Sequence, residues 1–554
     1  MIKTRSKFLE IAKERGIIFD GAMGTSLFAY DLSAQDYGGD EFEGCPEQLN
    51  FTRPDIIQEI HSKFFEAGAD VVETNSFGAS RLVMGEYGLE EKSYEVSKLA
   101  ASLAREVADK FTQENPEKPR FVAGSIGPGT KLASLGNVSF DELYESYKPQ
   151  IQGLIDGGVD LLLIETCQDP LQIKACLNAC LDVMVPEGPA HWNKSESKLP
   201  IQVQVTVETM GTLLVGSDIG SALTTIAAYP VDVIGMNCAT GPAEMREHIQ
   251  YLSEESPALI SCLPNAGIPE NVGGHAHFPL DPQQFSTQLS RFVDEFGVSV
   301  VGGCCGTTYE HIRQLADACA TKEAHREEAK DEVIESVSSI YNSVPMLMEP
   351  RPLIVGERTN ANGSKLFRNL LGEEDYDAIV DLAKEQVAEG SHVLDVCTAY
   401  VGRDETKDMV EVIKRINTQV NIPIMVDSTE YPVLEAALKH ISAKAIINSV
   451  NLEDGEERVA QIAALAKRFG AALVVLTIDE DGMAKTAEKK LEVASRLYDL
   501  LVNEHGIDPR NLIYDTLTFT LASGDEEMRN AGIETINAIK MIKEKYPEVK
   551  TILG

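Results

Sequence analysis

The stretch "VSVVGGCCGTT" (residues 298–308) decides the fold. A β-branched run ends on two glycines, and two adjacent cysteines follow before a third glycine and two threonines. Neighbouring side chains in a strand point to opposite faces. For Cys304 and Cys305 to serve one purpose, the strand must end before them and the glycines must bend the chain. Seven earlier segments share the pattern, namely "GIIFDGAMG", "ADVVETNSF", "FVAGSIGPG", "VDLLLIETCQD", "PIQVQVTVE", "VDVIGMNCATG" and "ALISCLPNAG". Each ends in polar or glycine residues and leads into an amphipathic stretch. Continuous apolar strands alternating with helices imply parallel βα units covered on both faces. Eight of them in roughly 300 residues predict a (β/α)8 barrel. A doubly wound open sheet is the other arrangement of such units, but it does not give every strand a polar C-terminal tip.

A second series runs "PLIVGERTN", "SHVLDVCTA", "IPIMVDSTE", "AKAIINSVN", "AALVVLTIDE", "NLIYDTLTF" and "VKTILG". The fold class expected is therefore α/β, with two TIM-type (β/α)8 barrels in tandem. The second is truncated near strand seven, since a barrel needs its eighth strand to remove open edges. More protein is expected beyond Gly554. The charged stretch "KEAHREEAKDEVIESVSSIYNSVPMLMEP" (residues 322–350) reads as a helical extension and linker. The expected domains are 1–325, a helical linker over 326–350, and 351–554.

The chain has 554 residues, 43% hydrophobic and 25% charged, as a globular protein does. A net charge of −38 argues against nucleic acid as a partner, because phosphate binding relies on basic patches. No run of about 18 apolar residues exists to cross a membrane. The start lacks the apolar core of a secretory signal, so the expected location is cytoplasmic. Ten cysteines, irregularly spaced, are too few for a disulfide framework.

Reactive groups of such barrels sit at the C-terminal strand ends. Cys304 and Cys305 hold that position on strand eight, and "VIGMNC" puts Cys238 there on strand six. Three thiolates suit zinc and leave one coordination position for a substrate. A strand-end cysteine is also a small buried hydrophobe, and Cys304–Cys305 could form a strained vicinal disulfide; both alternatives stay open. Cys176 and Cys180 share a helix face and read as core. Cys45, Cys167, Cys262, Cys319 and Cys397 take a core or surface role. His275 and His277 in "GGHAHF" are a weak metal signal, with a lid or packing role favoured. A metal in the open site would deprotonate a substrate thiol, whose free pKa is about 8.5. That yields a nucleophile without a separate strong base.

These residues carry a family resemblance. "FDGAMGT", "ETNSFGA", the "NC" tip and the "GGCCG" tip, in this order and spacing, resemble the homocysteine S-methyltransferase barrel over residues 10–320. "GERTN", "VDST", "INSV" and "YDTL" resemble the pterin-binding methyltransferase barrel over residues 351–554. The tandem resembles the N-terminal half of the cobalamin-dependent methionine synthase family. The resemblance implies that Cys238, Cys304 and Cys305 hold Zn2+, and that Asp20, Gly21, Thr74 and Glu165 line the amino-acid end of a homocysteine pocket. Asp20 could instead cap a helix, and Glu165 could form a rim ion pair. Asn265, on the strand-seven tip, is expected to offer zinc an oxygen when the thiol is absent.

On the second barrel the resemblance assigns Asp427, Asn448 and Asp515 to the pterin, with Glu357, Arg358 and Asn360 at the rim. The amide-like edge of a pterin suits carboxylate acceptors. The activity implied is methyl transfer in methionine synthesis. Homocysteine thiolate takes a methyl group from methylcobalamin, leaving cob(I)alamin, which 5-methyltetrahydrofolate remethylates at the second barrel. No D-x-H-x-x-G corrinoid motif occurs in residues 1–554, so a cobalamin-binding module is expected outside this chain. Two departures weaken the expected folate reaction. The family's asparagine beyond "TILG" is not reached, and Cys397 stands where many relatives have asparagine. The alternatives are a cobalamin-independent homocysteine S-methyltransferase with a betaine or sulfonium donor, which needs only the first barrel, and a zinc-bearing scaffold without catalysis.

Overall fold

The computed structural model describes residues 6–193, 199–273, 275–320, 322, 335–519 and 529–554. The chain divides into two compact units. One takes Met1–Pro186 and Asn193–Ile334, the other Glu187–Trp192 and Glu335–Gly554. Among the described residues, no helix is long and apolar enough to cross a membrane.

In the first unit the parallel strands are β1 (Ile17–Ile18), β2 (Val71–Glu73), β3 (Phe121–Ile126), β4 (Leu161–Cys167), β5 (Ile201–Val205), β6 (Val233–Asn237) and β7 (Leu259–Leu263). A short hairpin, β8 (Glu270–Val272) and β9 (His275–His277), precedes the eighth barrel strand, β10 (Val300–Val301). The strand order is β1-β10-β7-β6-β5-β4-β3-β2, and a parallel bridge between Phe19 and Val71 joins the two ends. The open-sheet alternative is thereby replaced by a barrel closed through one thin seam.

Leu161, Leu163, Val71, Phe121, Ala123, Val233 and Val300 fill the interior. Helix α1 (Lys7–Glu14) plugs its N-terminal end with Phe8, Leu9 and Ala12. The Phe8 ring stands edge-on to Phe19 and Phe121, with centroids 6.4 and 5.9 Å away. Ser6 caps this helix by accepting from the Leu9 N–H, and Glu10 lies in its first turn. An apolar floor leaves the opposite, C-terminal mouth for chemistry.

The second unit opens with an antiparallel hairpin, β11 (Ser336–Ser338) and β12 (Ser343–Pro345). Seven parallel strands follow in chain order: β13 (Val355–Gly356), β14 (Val393–Val396), β15 (Ile424–Asp427), β16 (Ile446–Val450), β17 (Ala472–Leu476), β20 (Leu512–Asp515) and β21 (Lys550–Ile552). A small hairpin, β18 (Ile478–Asp479) and β19 (Gly482–Met483), separates β17 from β20. Among the described residues β13 and β21 are edges, so this sheet is a partial barrel.

The helical linker expected over residues 326–350 is corrected in its second half. Residues 323–334 lie outside the described residues, and 336–345 form the hairpin. "SVSSIYNSVP" alternates with period two, and Ser339 and Asn342 close a turn through a 2.9 Å backbone bond. Val337 and Met346 then bury against Val393, Met425, Ile446, Ala472 and Val474. The hairpin plugs the second sheet as α1 plugs the first. Its side chains gain more from that burial than from a solvated helix.

Candidate active sites

The first site begins where β10 stops. The strand ends at Val301, so Cys304 and Cys305 lie in the turn that follows. A Cβ on Gly302 would meet Phe19 Cβ at 2.6 Å, and one on Gly303 would meet Thr307 Cγ2 at 2.6 Å. Only glycine lets the chain pass there. Thr307 Oγ1 donates to the Cys304 carbonyl at 2.6 Å and accepts from the Ala22 N–H at 3.3 Å. Gly21 makes room for this brace, since a Cβ on it would lie 2.6 Å from Thr307 Oγ1.

Cys238, Cys304 and Cys305 converge, with all three sulfurs within 4.8 Å of one another. Cys238 Sγ and Cys305 Sγ are 3.9 Å apart. Tetrahedral Zn–S bonds of about 2.3 Å place sulfurs about 3.8 Å apart. The set therefore fits zinc, and the separation is too long for a disulfide bond between those two. Hydrogen bonds from Cys304 and Cys305 pull the Cys238 thiol down to about 3. The bond with Cys238, then burial, push Cys305 up to about 12 against the lowering effect of Cys304, and the bonds with Cys238 and Cys305 raise Cys304. One thiolate shared among three sulfurs is a cation site in its chemistry. Among the described residues it is the one cluster of three or more such ligands. The other seven cysteines are buried away from it. His277 sits exposed on the β8–β9 hairpin, outside the cluster.

Asn265 follows β7, between β6 and β10 in the ring. Its side chain hydrogen-bonds Cys238, while its Oδ1 is buried without a partner. Beside the sulfurs lie three carboxylates. Asp20 Oδ2 accepts from the Glu73 N–H at 3.1 Å, and its Oδ1 is buried and unpaired. No Asp20 cap forms on helix Met23–Phe28. Burial, then the other two acids, holds the Glu73 carboxyl well above its ordinary range, and Asp20 is raised chiefly by burial.

Glu165 accepts from Ser125 Oγ at 2.5 Å and from Asn237 Nδ2 at 3.0 Å, with no cation partner among the described residues. Burial pushes it up to about 7, aided by the Cys238 charge and opposed by those two donors. Thr74 does not present a free hydroxyl. Its Oγ1 accepts from the Ser125 N–H at 3.0 Å and bonds Ser76 Oγ at 2.7 Å, so it sits behind Ser125.

Glu73, Ser125 and Asn237 were not singled out from the sequence. Strand alternation was the available signal: Val71 faces inward, so Glu73 must also, and Thr74 must not. Asn237 follows by the same count from Val233.

The second site gathers Asp395, Asp427 and Asp515 at strand tips. Asn360 Nδ2 donates to Asp395 Oδ2 at 2.7 Å and to Asp427 Oδ2 at 2.8 Å. Asn448 Nδ2 reaches Asp395 Oδ1 at 3.5 Å. Asp515 Oδ1 accepts from the Leu517 N–H at 2.8 Å, and burial raises its carboxyl. Lys490 is buried beneath that turn and donates to the Thr516 carbonyl and, at 3.0 Å, to the Leu517 carbonyl. Asp395, inward by alternation from Val393, was missed by sequence reasoning; burial and Asp427 push it up to about 7. Glu357 is exposed at the rim, near enough that its charge raises all three acids.

Arg358 is exposed at the rim beside Glu357. Its guanidinium pairs with Glu385 on helix Tyr376–Ala388 at 3.7 Å and with Glu389, just past the end of that helix, at 2.9 Å. As Glu357's neighbour it takes the opposite side of the chain. Cys397 lies buried beside Asp427, its thiol pushed up to about 12, and accepts from Asn362 Nδ2 at 3.5 Å.

A closed βα barrel with a three-thiol, three-carboxylate mouth defines a class. Residues 17–319 match the model for homocysteine S-methyltransferases, and the chain belongs to that family. Residues 356–554 match the model for pterin binding enzymes. Over 549 residues, 99% of the chain, it is 46% identical to a protein named methionine synthase from Mycobacterium tuberculosis, covering 45% of that protein. The methionine synthase of Mycobacterium leprae is likewise 46% identical over 552 residues, again with 45% covered. The chain thus spans just under half the length of these curated relatives. Among solved structures, the oxidized homocysteine methyltransferase MmuM of Escherichia coli is 22% identical with a TM-score of 0.44, covering 56% of this chain and 99% of that one.

Proposed function

We propose that the first barrel methylates the thiol of homocysteine at a zinc site, and that the second binds 5-methyltetrahydrofolate as the ultimate methyl donor. Methylcobalamin, held by a module outside this chain, would supply the methyl-carrying chemistry between the two sites. The observation that carries this reading is the packing of Cys238, Cys304 and Cys305 within 4.8 Å of one another, facing Asp20, Glu73 and Glu165. Zinc held by the three cysteines would supply an open position that keeps a substrate thiol ionised at neutral pH.

The chain's own residues supply recognition. Glu165, already held by Ser125 and Asn237, receives the α-ammonium group, with the unpaired Asp20 Oδ1 as a second acceptor. Backbone N–H groups receive the carboxylate. Asn265 Oδ1, buried without a partner, would offer zinc an oxygen ligand when no thiol is bound. X-ray absorption of zinc-loaded Asn265→Ala without homocysteine should show one fewer light ligand; an unchanged first shell would sink that role.

In the second barrel, Asp427, Asn448 and Asp515 accept and donate along the pterin edge, and Asn360 ties Asp427 to Asp395. Glu357 and Arg358 stand with Asn360 at the rim of that site. Methyl transfer from free methylcobalamin to homocysteine should be lost with a chelator and restored by zinc. Activity indifferent to zinc, or absent from the zinc-loaded protein, overturns this reading.

A further inference from the structure

One side chain joins the two halves of the first site. Asn237 is the last residue of β6 and almost wholly buried. Its Oδ1 accepts from the Thr166 N–H at 2.8 Å. Its Nδ2 donates to Thr166 Oγ1 at 2.9 Å and to Glu165 Oε2 at 3.0 Å. Its backbone carbonyl accepts from Thr206 Oγ1 at 2.9 Å. The residue therefore stitches the tips of β4, β5 and β6 together, and the next residue is Cys238.

The backbone on both sides of this link, at the irregular end of β4 and just after β6, is left-handed at residues other than glycine. Thr166 has φ 58°, Cys238 φ 62° and Ala239 φ 54°. Such backbone is unfavourable for an L-residue and persists where surrounding contacts fix it. Asn237 provides those contacts at Thr166, while on its other side the Cys238 N–H donates to the Leu263 carbonyl at 3.2 Å and the Cys238 carbonyl accepts from the Thr240 N–H at 2.7 Å. The thiol end of the pocket, at Cys238, and the ammonium end, at Glu165, are thus set at a fixed separation by a single amide.

We propose that Asn237 is the positioning residue that fixes this separation, and so selects a thiol amino acid of homocysteine's chain length over the shorter cysteine and over thiols lacking the amino group. Resting on the function proposed above, it names what sets specificity at that site. Asn237→Asp keeps the acceptor for the Thr166 N–H but removes both donated bonds, and sets an acceptor against Glu165. Asn237→Ala removes all three side-chain bonds and leaves only the backbone bond from Thr206.

The test is calorimetric titration of the zinc-loaded protein with L-homocysteine, L-cysteine and 4-mercaptobutanoate, which is homocysteine without its amino group. Metal content and melting temperature are measured alongside. In both variants homocysteine should bind about tenfold or more weakly, the loss expected for a bond to a charged group. Binding of 4-mercaptobutanoate should change less than about twofold, with zinc content retained, so the preference for homocysteine collapses. Equal weakening of homocysteine and its deaminated analogue, or unchanged preference in a variant that folds, overturns the inference. Should Asn237→Ala fail to fold, Asn237→Asp alone decides it. Absence of zinc-dependent homocysteine binding in the unaltered protein would instead overturn the proposed function.

Discussion

Replacing Asp395 with asparagine tests the second site through its acid–base balance. Asp395 is buried, accepts from Asn360 Nδ2 at 2.7 Å and faces Asp427 across the shared amide. Its carboxyl is pushed up to about 7 by burial, then by Asp427. In an unfolded chain it titrates near 3.9. The sign follows from that order. Below about pH 4 the residue is neutral in both states and costs nothing. Between about pH 4 and 7 the unfolded chain releases its proton while the folded chain retains it, so stability falls as pH rises, and the full penalty is reached above that range.

A gap of about three units, at about 1.36 kcal/mol each, gives an upper value of about 4 kcal/mol, and relaxation of the site leaves about half of it. The asparagine keeps an acceptor toward Asn360 and cannot ionise. The variant should match the natural chain near pH 5 within about 1 kcal/mol and exceed it by about 2 kcal/mol at pH 8. Urea denaturation followed by tryptophan fluorescence reads this unit, because the sole tryptophan, Trp192, is buried and belongs to it. Parallel pH dependence in the two proteins would refute the assignment of a retained proton to Asp395.

Three further outcomes are expected. Glu165→Gln should weaken homocysteine binding by about 10- to 100-fold through loss of the charged acceptor, with 4-mercaptobutanoate unaffected in calorimetry. Phe8→Ala should destabilise the first unit by about 3–5 kcal/mol in denaturant titrations followed by circular dichroism, because it opens a cavity between Phe19 and Phe121. Lys490→Met leaves the Thr516 carbonyl without its buried donor, while the Leu517 carbonyl keeps Thr535 Oγ1 at 2.9 Å. It should cost the second unit about 1–3 kcal/mol by tryptophan fluorescence and loosen the Asp515 turn, weakening pterin binding.

The two barrels and the sulfur centre were legible in the sequence because each depends on local patterning. Apolar runs of strand length, polar tips and turn glycines repeat along the chain whatever packs against them. Cysteine is also scarce enough that three at strand tips stand out. The strand-tip Asp427, Asn448 and Asp515 were legible for the same reason, as polar residues closing apolar runs. The Ser336–Pro345 hairpin was obscured by the charged segment before it, and its fate was set by an apolar floor contributed by distant strands.

Alone, then, the sequence determined the number and kind of βα units, the thiols at two tips and the residue types available to the sites. Tertiary structure decided which of those residues face one another. It turned Glu73 inward and put Thr74 behind Ser125, sent Arg358 to Glu385 and Glu389, and raised Asp395 beside Asp427. It also made Asn237 the link between Glu165 and Cys238. The physical reason is that burial and electrostatic coupling act between groups tens or hundreds of positions apart in the chain. Only closure of the sheet brings them within hydrogen-bonding distance, where a neighbour's charge or a shared amide fixes what each can do.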